Sequence, residues 1–170
     1  MHNDFVVVGP AEDPAKIGSM SDVTAAFATI AARRAIFVSR GDDSGTYIRE
    51  RALWKYAGVD PQSASGKWYR EAGSGMGTTL NVAVGMGGYT LTDRATWVGF
   101  RNKRGFRVLV EGDRRLFNPY GVILVNPARH RHVNADGGRA FIAWLTGSEG
   151  QAAIAAYRID GVQLFHPARH

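Results

Sequence analysis

The chain has 170 residues, 45% of them hydrophobic, and a formal net charge of +6. This length can bury one good core or parts of two smaller ones. Cysteine is absent, which excludes disulfides and thiolate chemistry. No apolar run approaches the roughly 18 residues that a membrane span needs, and residues 1–4 do not resemble the start of a signal peptide. We therefore expect no membrane insertion and no signal peptide within this chain.

The positive charge makes nucleic acid a partner to consider. The basic residues lie in separate groups, however, and no aromatic-rich nucleic-acid motif accompanies them. The groups are Arg101, Lys103, Arg104 and Arg107, then Arg114 and Arg115, then Arg129 and Arg131. We expect no nucleic-acid partner and a surface that attracts anions in general.

Taken in order, the chain alternates between strand-like and helix-like patterns. Apolar runs predict strands at residues 4–8, 35–38, 89–93, 106–110 and 122–125, the last being the most apolar. Helical spacing predicts helices at residues 23–30, 46–57, 80–84, 94–100, 136–146 and 148–157. This alternation is typical of an α/β fold. The strand-like runs near Phe5 and Ile123, each bounded by Gly and Pro, are candidates for crossovers between two lobes.

One polar stretch, residues 39–46, joins a predicted buried strand to a predicted helix. It contains Ser39, Arg40, Asp42, Ser44, Gly45 and Thr46. The helix that follows ends at Gly58, a natural C-terminal cap. Its apolar positions are Ile48, Ala52, Leu53, Tyr56 and Ala57. The stretch is therefore predicted to be a strand-to-helix turn.

Such a turn can bind an anion because the first N–H groups of a helix lack internal partners and carry partial positive charge. Arg40 adds a full charge, the hydroxyls of Ser44 and Thr46 add donors, and Gly45 allows close approach. We predict ligand contacts from these four residues and from Ser39 and Asp42. Asp42 or Asp43 could instead hold Arg40, or accept a proton from a protonated ligand. The simpler alternative is a plain helix cap beside a solvated arginine.

A second glycine-rich turn, residues 73–78, precedes the predicted helix at residues 80–84. Its glycine spacing does not fit a dinucleotide-binding loop. Its backbone could face the same ligand, which makes Gly75, Gly77 and Thr78 secondary candidates. The alternative is an ordinary turn into a helix.

The sequence gives little support for nucleotide binding, nucleophilic catalysis or metal binding. Neither glycine-rich turn has the lysine of a Walker loop, and Ser44 lacks the flanking glycines of a nucleophile elbow. The histidines His130, His132, His166 and His170 have no cysteine or paired carboxylates at ligand spacing. We therefore predict no catalytic residues, no metal and no cofactor.

Several motifs together resemble the periplasmic tungstate-binding proteins of ABC uptake systems, which are related to phosphate-binding proteins. They are residues 37–46, 68–69, 75–77, 89–94, 117–121, 144–146 and 149–151, in consistent order over nearly the whole chain. Phosphate-binding proteins share the Arg-x-Asp-x-Ser-Gly-Thr pattern but not the later Thr-Leu-Thr-Asp-Arg run.

The resemblance implies a type II periplasmic binding protein-like α/β fold that closes on a tetrahedral oxyanion between two lobes. Residues 9–118 would form a complete second lobe that carries the anion site. Residues 1–8 and 119–170 would be crossover strands and the returning part of an incomplete first lobe. The Thr/Ser-rich turn that the family has near its mature N-terminus has no counterpart before Asn3. The chain would thus be N-terminally truncated.

The function implied is that of a periplasmic solute-binding component of an ABC importer. It would bind tungstate or molybdate and dock on the transporter permease, without catalysis. The residues leave open a phosphate-type anion-binding protein and, less favoured, a phosphoryl-transfer enzyme that uses the same loop.

Overall fold

The computed structural model describes residues 1–168 and divides the chain into two compact units. The larger unit is Asp4–Phe117, and the smaller unit combines Met1–Asn3 with Asn118–His170. The chain passes between them within β1 (His2–Pro10) and within β6 (Phe117–Pro119). The larger unit begins before the predicted lobe boundary at residue 9, because β1 pairs along residues 5–10 with strands of that unit. Whether the two units are the predicted lobes stays a prediction.

In the larger unit, β1 is the central strand of an antiparallel sheet. It pairs on one side with β4 (Thr90–Asp93) and on the other with β5 (Phe106–Val110), and β6 also pairs with it. The strands at residues 89–93 and 106–110 are thereby confirmed within a residue. β1 is longer than the predicted residues 4–8, because its two partners are offset along it.

A second, parallel pair of strands sets the position of the polar stretch. β2 (Phe37–Ser39) pairs in register with β3 (Tyr69–Glu71), and Tyr89 forms a parallel bridge with Phe37. Each strand of the pair is followed by a helix, α2 (Gly45–Tyr56) after β2 and α3 (Met76–Met86) after β3. Since parallel strands end at the same edge of a sheet, both helices begin near one edge.

Two apolar clusters form the core of the larger unit. Successive strand residues point to opposite faces, so Phe5 and Val7 of β1 join one cluster while Val6 and Val8 join the other. The first cluster includes α1 (Val23–Ala32), whose N-cap Asp22 accepts the N–H groups of Thr24 and Ala25. The second includes side chains of α3 and of α4 (Arg94–Gly99).

The predicted apolar face of α2 is wrong for two of its largest members. Ile48 and Tyr56 are 66% and 64% exposed. The buried residues of this helix are Thr46, Glu50, Leu53 and Trp54. Trp54 determines this orientation, because its ring packs 4.4 Å from the ring of Phe27 and 5.0 Å from that of Phe37 between centroids.

The smaller unit consists of two helices and a short hairpin. They are α5 (Ala135–Thr146), α6 (Ser148–Ala156), β7 (Arg158–Ile159) and β8 (Val162–Gln163). Asn134 caps α5 by accepting the Gly137 N–H at 2.9 Å. Backbone bonds between His2 and His166 join the two segments of this unit. No helix in residues 1–168 is both long and apolar enough to cross a membrane.

The predicted strand at residues 122–125 is absent from the structure. The segment has no regular secondary structure and joins no sheet among the described residues. Ile123 is 88% exposed, although Leu124 lies against α5, where a Cβ on Gly138 would come within 2.5 Å of it. An apolar run cannot remain a strand without a neighbour to pair its N–H and C=O groups. The second passage between the units lies in β6, and whether the run near Ile123 is a crossover between lobes stays a prediction.

Candidate anion-binding site

The polar stretch forms the predicted strand-to-helix turn, from the end of β2 to the start of α2. Ser44 is the N-cap, and its Oγ accepts the Tyr47 N–H at 3.2 Å. The N–H groups of Gly45 and Thr46 have no partner within the helix. Gly45 has open space around the position of its missing Cβ. The start of α2 therefore offers two N–H donors at the positive end of a helix dipole, one at exposed Gly45 and one at buried Thr46.

Arg40 and Asp42 form an ion pair beside this helix start. The Arg40 Nε and Nη2 atoms donate to Asp42 Oδ2 at 3.1 and 2.5 Å. The other carboxylate oxygen, Oδ1, accepts from the Ser44 Oγ at 2.6 Å and the Ser44 N–H at 3.2 Å. Partial desolvation acts to raise the pKa of Asp42, but the bonds from Ser44 and Arg40 hold it below its usual value. Asp42 is therefore an ionised acceptor that fixes the direction of the Arg40 side chain.

These contacts separate the predicted ligand residues into two groups. Arg40 donates to Asp42, which in turn accepts from Ser44, the residue before Gly45 and Thr46 at the start of α2. Asp42 and the Ser44 hydroxyl bond each other, and Asp42 holds Arg40, which is one of the two alternatives that the sequence left open; a ligand contact by Asp42 stays a prediction. Ser39 is fully buried and its hydroxyl donates inward to the Glu50 carboxylate, while its predicted ligand contact stays a prediction.

Sequence reasoning missed a buried network beneath the turn, centred on Glu50. Ser39 Oγ donates to Glu50 Oε2 at 2.9 Å, while Tyr69 OH and Trp54 Nε1 donate to Oε1 at 2.8 and 3.2 Å. Burial raises the pKa of Glu50 to about 7, although these three bonds act to lower it. The available signal was a carboxylate four residues before Trp54 and three before Leu53, on the face that those large side chains bury.

The second glycine-rich turn lies beside the first. The Ala72 N–H donates to the Ser39 carbonyl at 2.9 Å, and the Ser74 N–H donates to the Arg40 carbonyl at 3.3 Å. Gly75 is the N-cap of α3 and supplies no side-chain cap. The secondary candidates Gly75, Gly77 and Thr78 are exposed in this first turn. The structure thus brings two helix starts to one edge of the parallel strand pair.

The histidines form no comparable site. His130 and His132 have ring centroids 6.1 Å apart, and His166 stacks on His2 at 5.3 Å. His170 lies outside the described residues. Within residues 1–168, no group of three or more His, Asp or Glu side chains is arranged to hold a metal ion.

Comparison with known proteins shows the class to which the chain belongs. A family model described as a PBP superfamily domain matches residues 1–149. The chain belongs to this superfamily and has the α/β periplasmic binding protein-like fold.

The chain is similar over most of its length to proteins and structures described as tungstate-binding or as a tungstate transporter. The chain is 42% identical over 171 residues to the tungstate-binding protein TupA of Peptoclostridium acidaminophilum, covering 98% of this chain and 59% of the relative. The structure of the tungstate-binding protein TupA from Desulfovibrio alaskensis G20 superposes with a TM-score of 0.83 and 42% identity, covering 100% of this chain and 69% of that one. The tungstate ABC transporter structure from Geobacter sulfurreducens gives a TM-score of 0.82 and 45% identity, covering 92% and 66%.

The chain spans about half to three fifths of the length of the curated relatives it matches.

Proposed function

We propose that this chain is a solute-binding component of an ABC importer that binds a tetrahedral oxyanion, tungstate or molybdate. The observation that carries the proposal is the Arg40 guanidinium, which Asp42 holds beside the N–H donors of Gly45 and Thr46. The names of the relatives, tungstate-binding proteins and a tungstate ABC transporter, support the same ligand. The N–H groups at the start of α3 are proposed as further donors.

The charge of the site favours a dianion that carries no proton. Arg40 and the helix starts supply donors and positive charge, whereas Asp42, the carboxylate that bonds Arg40, already accepts from Arg40 and Ser44. A monoprotonated phosphate needs an acceptor for its proton, and Asp42 is already occupied by these bonds. Tungstate and molybdate carry the same charge and have nearly the same shape, so the turn favours both over phosphate.

The remaining parts of the proposal follow from the relatives. As a binding component, the chain would act without catalysis, work in the periplasm, and deliver its ligand to the permease of the transporter. A phosphate-type binding protein is the second candidate, supported by the shared Arg-x-Asp-x-Ser-Gly-Thr pattern at residues 40–46.

Calorimetric titration of the purified chain with tungstate, molybdate, sulfate and phosphate tests this function. We expect saturable heats with tungstate and molybdate and much weaker ones with phosphate. Tighter binding of phosphate would favour the second candidate. A folded sample that gives no heat with any of the four anions would contradict the proposal.

Replacing Arg40 tests the site itself. Arg40→Ala removes a full charge and its hydrogen bonds to the ligand, each contributing roughly 1.5–3 kcal/mol, so we expect tungstate affinity to fall at least about 10-fold. Arg51→Ala is the matched control, because it removes the same charge from an exposed position on α2. Equal affinities of the two variants would remove Arg40 from the site.

A further inference from the structure

We propose that Glu50 is a positioning residue of the anion site, acting through the Ser39 hydroxyl on the backbone of Gly41. The inference rests on the proposed function for its ligand, but its structural basis is the buried network beneath the turn. Glu50 is 1% exposed and Ser39 is fully buried, so we assign neither of them a direct contact with the ligand.

The connection runs through one oxygen atom. Ser39 Oγ donates to Glu50 Oε2 at 2.9 Å and at the same time accepts the Gly41 N–H at 3.1 Å. A carboxylate at position 50 thus fixes where the serine hydrogen points, and leaves the lone pairs of Oγ for Gly41. Gly41 is the residue directly between Arg40 and Asp42, so its orientation sets the start of the turn that carries the ion pair.

Gly41 needs the hydrogen bond to Ser39 because its backbone is in the left-handed region. Its φ is +61°, a conformation that glycine adopts without steric cost and that the unfolded chain does not favour over others. A Cβ there would come within 3.0 Å of Glu71 Cβ, so the turn passes close to the end of β3. By accepting the Gly41 N–H, the Ser39 hydroxyl holds the backbone of Gly41 in this conformation, close to the end of β3.

The remaining groups around Glu50 join the elements that carry the site. Ser39 comes from β2, Trp54 from α2 itself, and Tyr69 from β3. Glu71, also on β3, is the charged side chain whose repulsion acts on the carboxyl of Glu50. One carboxyl therefore ties the helix whose first N–H groups face the ligand to both strands of the parallel pair.

A matched pair of substitutions tests the proposal. Ser39→Ala and Tyr69→Phe each remove one hydroxyl donor from Glu50, but only Ser39→Ala also removes the acceptor of the Gly41 N–H. Two measurements are made on the full chain: tungstate affinity by calorimetry and hydrogen exchange of the Gly41 amide by NMR. Thermal unfolding of both variants shows the purely structural cost of losing a buried hydrogen bond.

We expect Ser39→Ala to weaken tungstate affinity about 10-fold and to speed Gly41 exchange about 10-fold, at about 1.4 kcal/mol for each factor of ten. Tyr69→Phe should change both quantities by less than about 3-fold while lowering the unfolding temperature to a similar extent. Similar changes in the two variants would overturn the proposal and leave Glu50 a structural residue. If the unsubstituted chain binds no tungstate, the proposed function fails, and the exchange comparison alone decides whether Glu50 positions the turn.

Discussion

Arg40 and Asp42 are both partly exposed, with 18% and 27% of their side-chain surface accessible. An ion pair at that exposure contributes little to stability, because solvent screens the charges. Its value lies in geometry: the two bonds to Asp42 restrict a long, flexible side chain to one direction. A positioned guanidinium loses less conformational entropy when an anion binds, which favours affinity.

The buried carboxyl of Glu50 should make the folding stability depend on pH. Its pKa is about 7 in the folded state and near 4.5 in the unfolded chain, so the folded state holds the proton more tightly. Tighter proton binding by Glu50 stabilises the folded state. This contribution to the free energy of unfolding is fully present below pH 4.5 and is lost as the pH rises through 7. The difference corresponds to roughly 3 kcal/mol, at about 1.4 kcal/mol for each pKa unit.

Denaturant unfolding between pH 4.5 and 8 measures this effect. Glu50→Gln cannot ionise and is the control, so the free energy of unfolding should fall more steeply with pH in the unsubstituted chain than in the variant. Parallel pH profiles would show that Glu50 does not titrate in this range.

For single residues of the turn, the sequence predicted some positions and left others undetermined. The strand-to-helix turn that contains Arg40, Ser44 and Gly45 could be predicted from the sequence, and its use as an anion site stays a prediction. The roles of Asp42 and Ser39 could not be predicted, since a side chain next to a turn can point either outward or inward. The burial of Glu50 was not predicted, because Ile48 and Tyr56 were expected to lie on the buried face of the helix. The packing of Trp54 against Phe27 instead buries the face that carries Glu50.

Among the elements, α2 and α3 differ in how their first turns are capped. Ser44 caps α2, whereas Gly75 gives α3 no side-chain cap. An uncapped start costs some helix stability but leaves N–H groups free for a ligand. This difference is consistent with a site in which the second turn supplies backbone donors.

Gly75→Asp tests the start of α3. The position has open space and a φ of −61°, so a side chain fits and can cap the helix. We expect stability to rise by about 0.3–1 kcal/mol and tungstate affinity to fall, because the carboxylate competes for the same N–H groups. Thermal unfolding and calorimetry measure the two effects.

The neutral variant Gly75→Asn is the control, since it caps the helix without adding charge and should weaken binding less. Tungstate affinity unchanged in both variants would mean that the start of α3 does not contact the anion.

Elements were predicted well where local signals and tertiary packing agree. The strands at residues 89–93 and 106–110 and both C-terminal helices lie within about two residues of the prediction. Residues 122–125 have the strongest strand composition and still form no strand. Strand formation depends on a pairing partner, which a local pattern does not contain.

At the scale of the whole molecule, the two units bury their apolar side chains to different degrees. In the smaller unit, Ile123, Phe141 and Trp144 are 88%, 54% and 45% exposed, and the last two rings stack at 6.0 Å. Exposed apolar groups of this size promote association. We expect the isolated chain to self-associate as its concentration rises, as analytical ultracentrifugation can measure.

Ile123→Lys should reduce that association, because it places a charge on the most exposed of these side chains. Ile48→Lys is the matched control: it adds the same charge at an exposed isoleucine of the larger unit. An equal effect of both substitutions would attribute the change to net charge rather than to the surface around Ile123.

Apart from Arg40, the donors proposed for the anion are backbone N–H groups, and every residue except proline carries one. Amino-acid replacements along the two turns therefore leave most of the binding chemistry in place as sequences diverge. A new preference among oxyanions would arise more readily by lengthening or shortening a turn, which moves several donors at once, than by exchanging single side chains. Relatives that select different anions should then differ in the lengths of these turns more than in their composition.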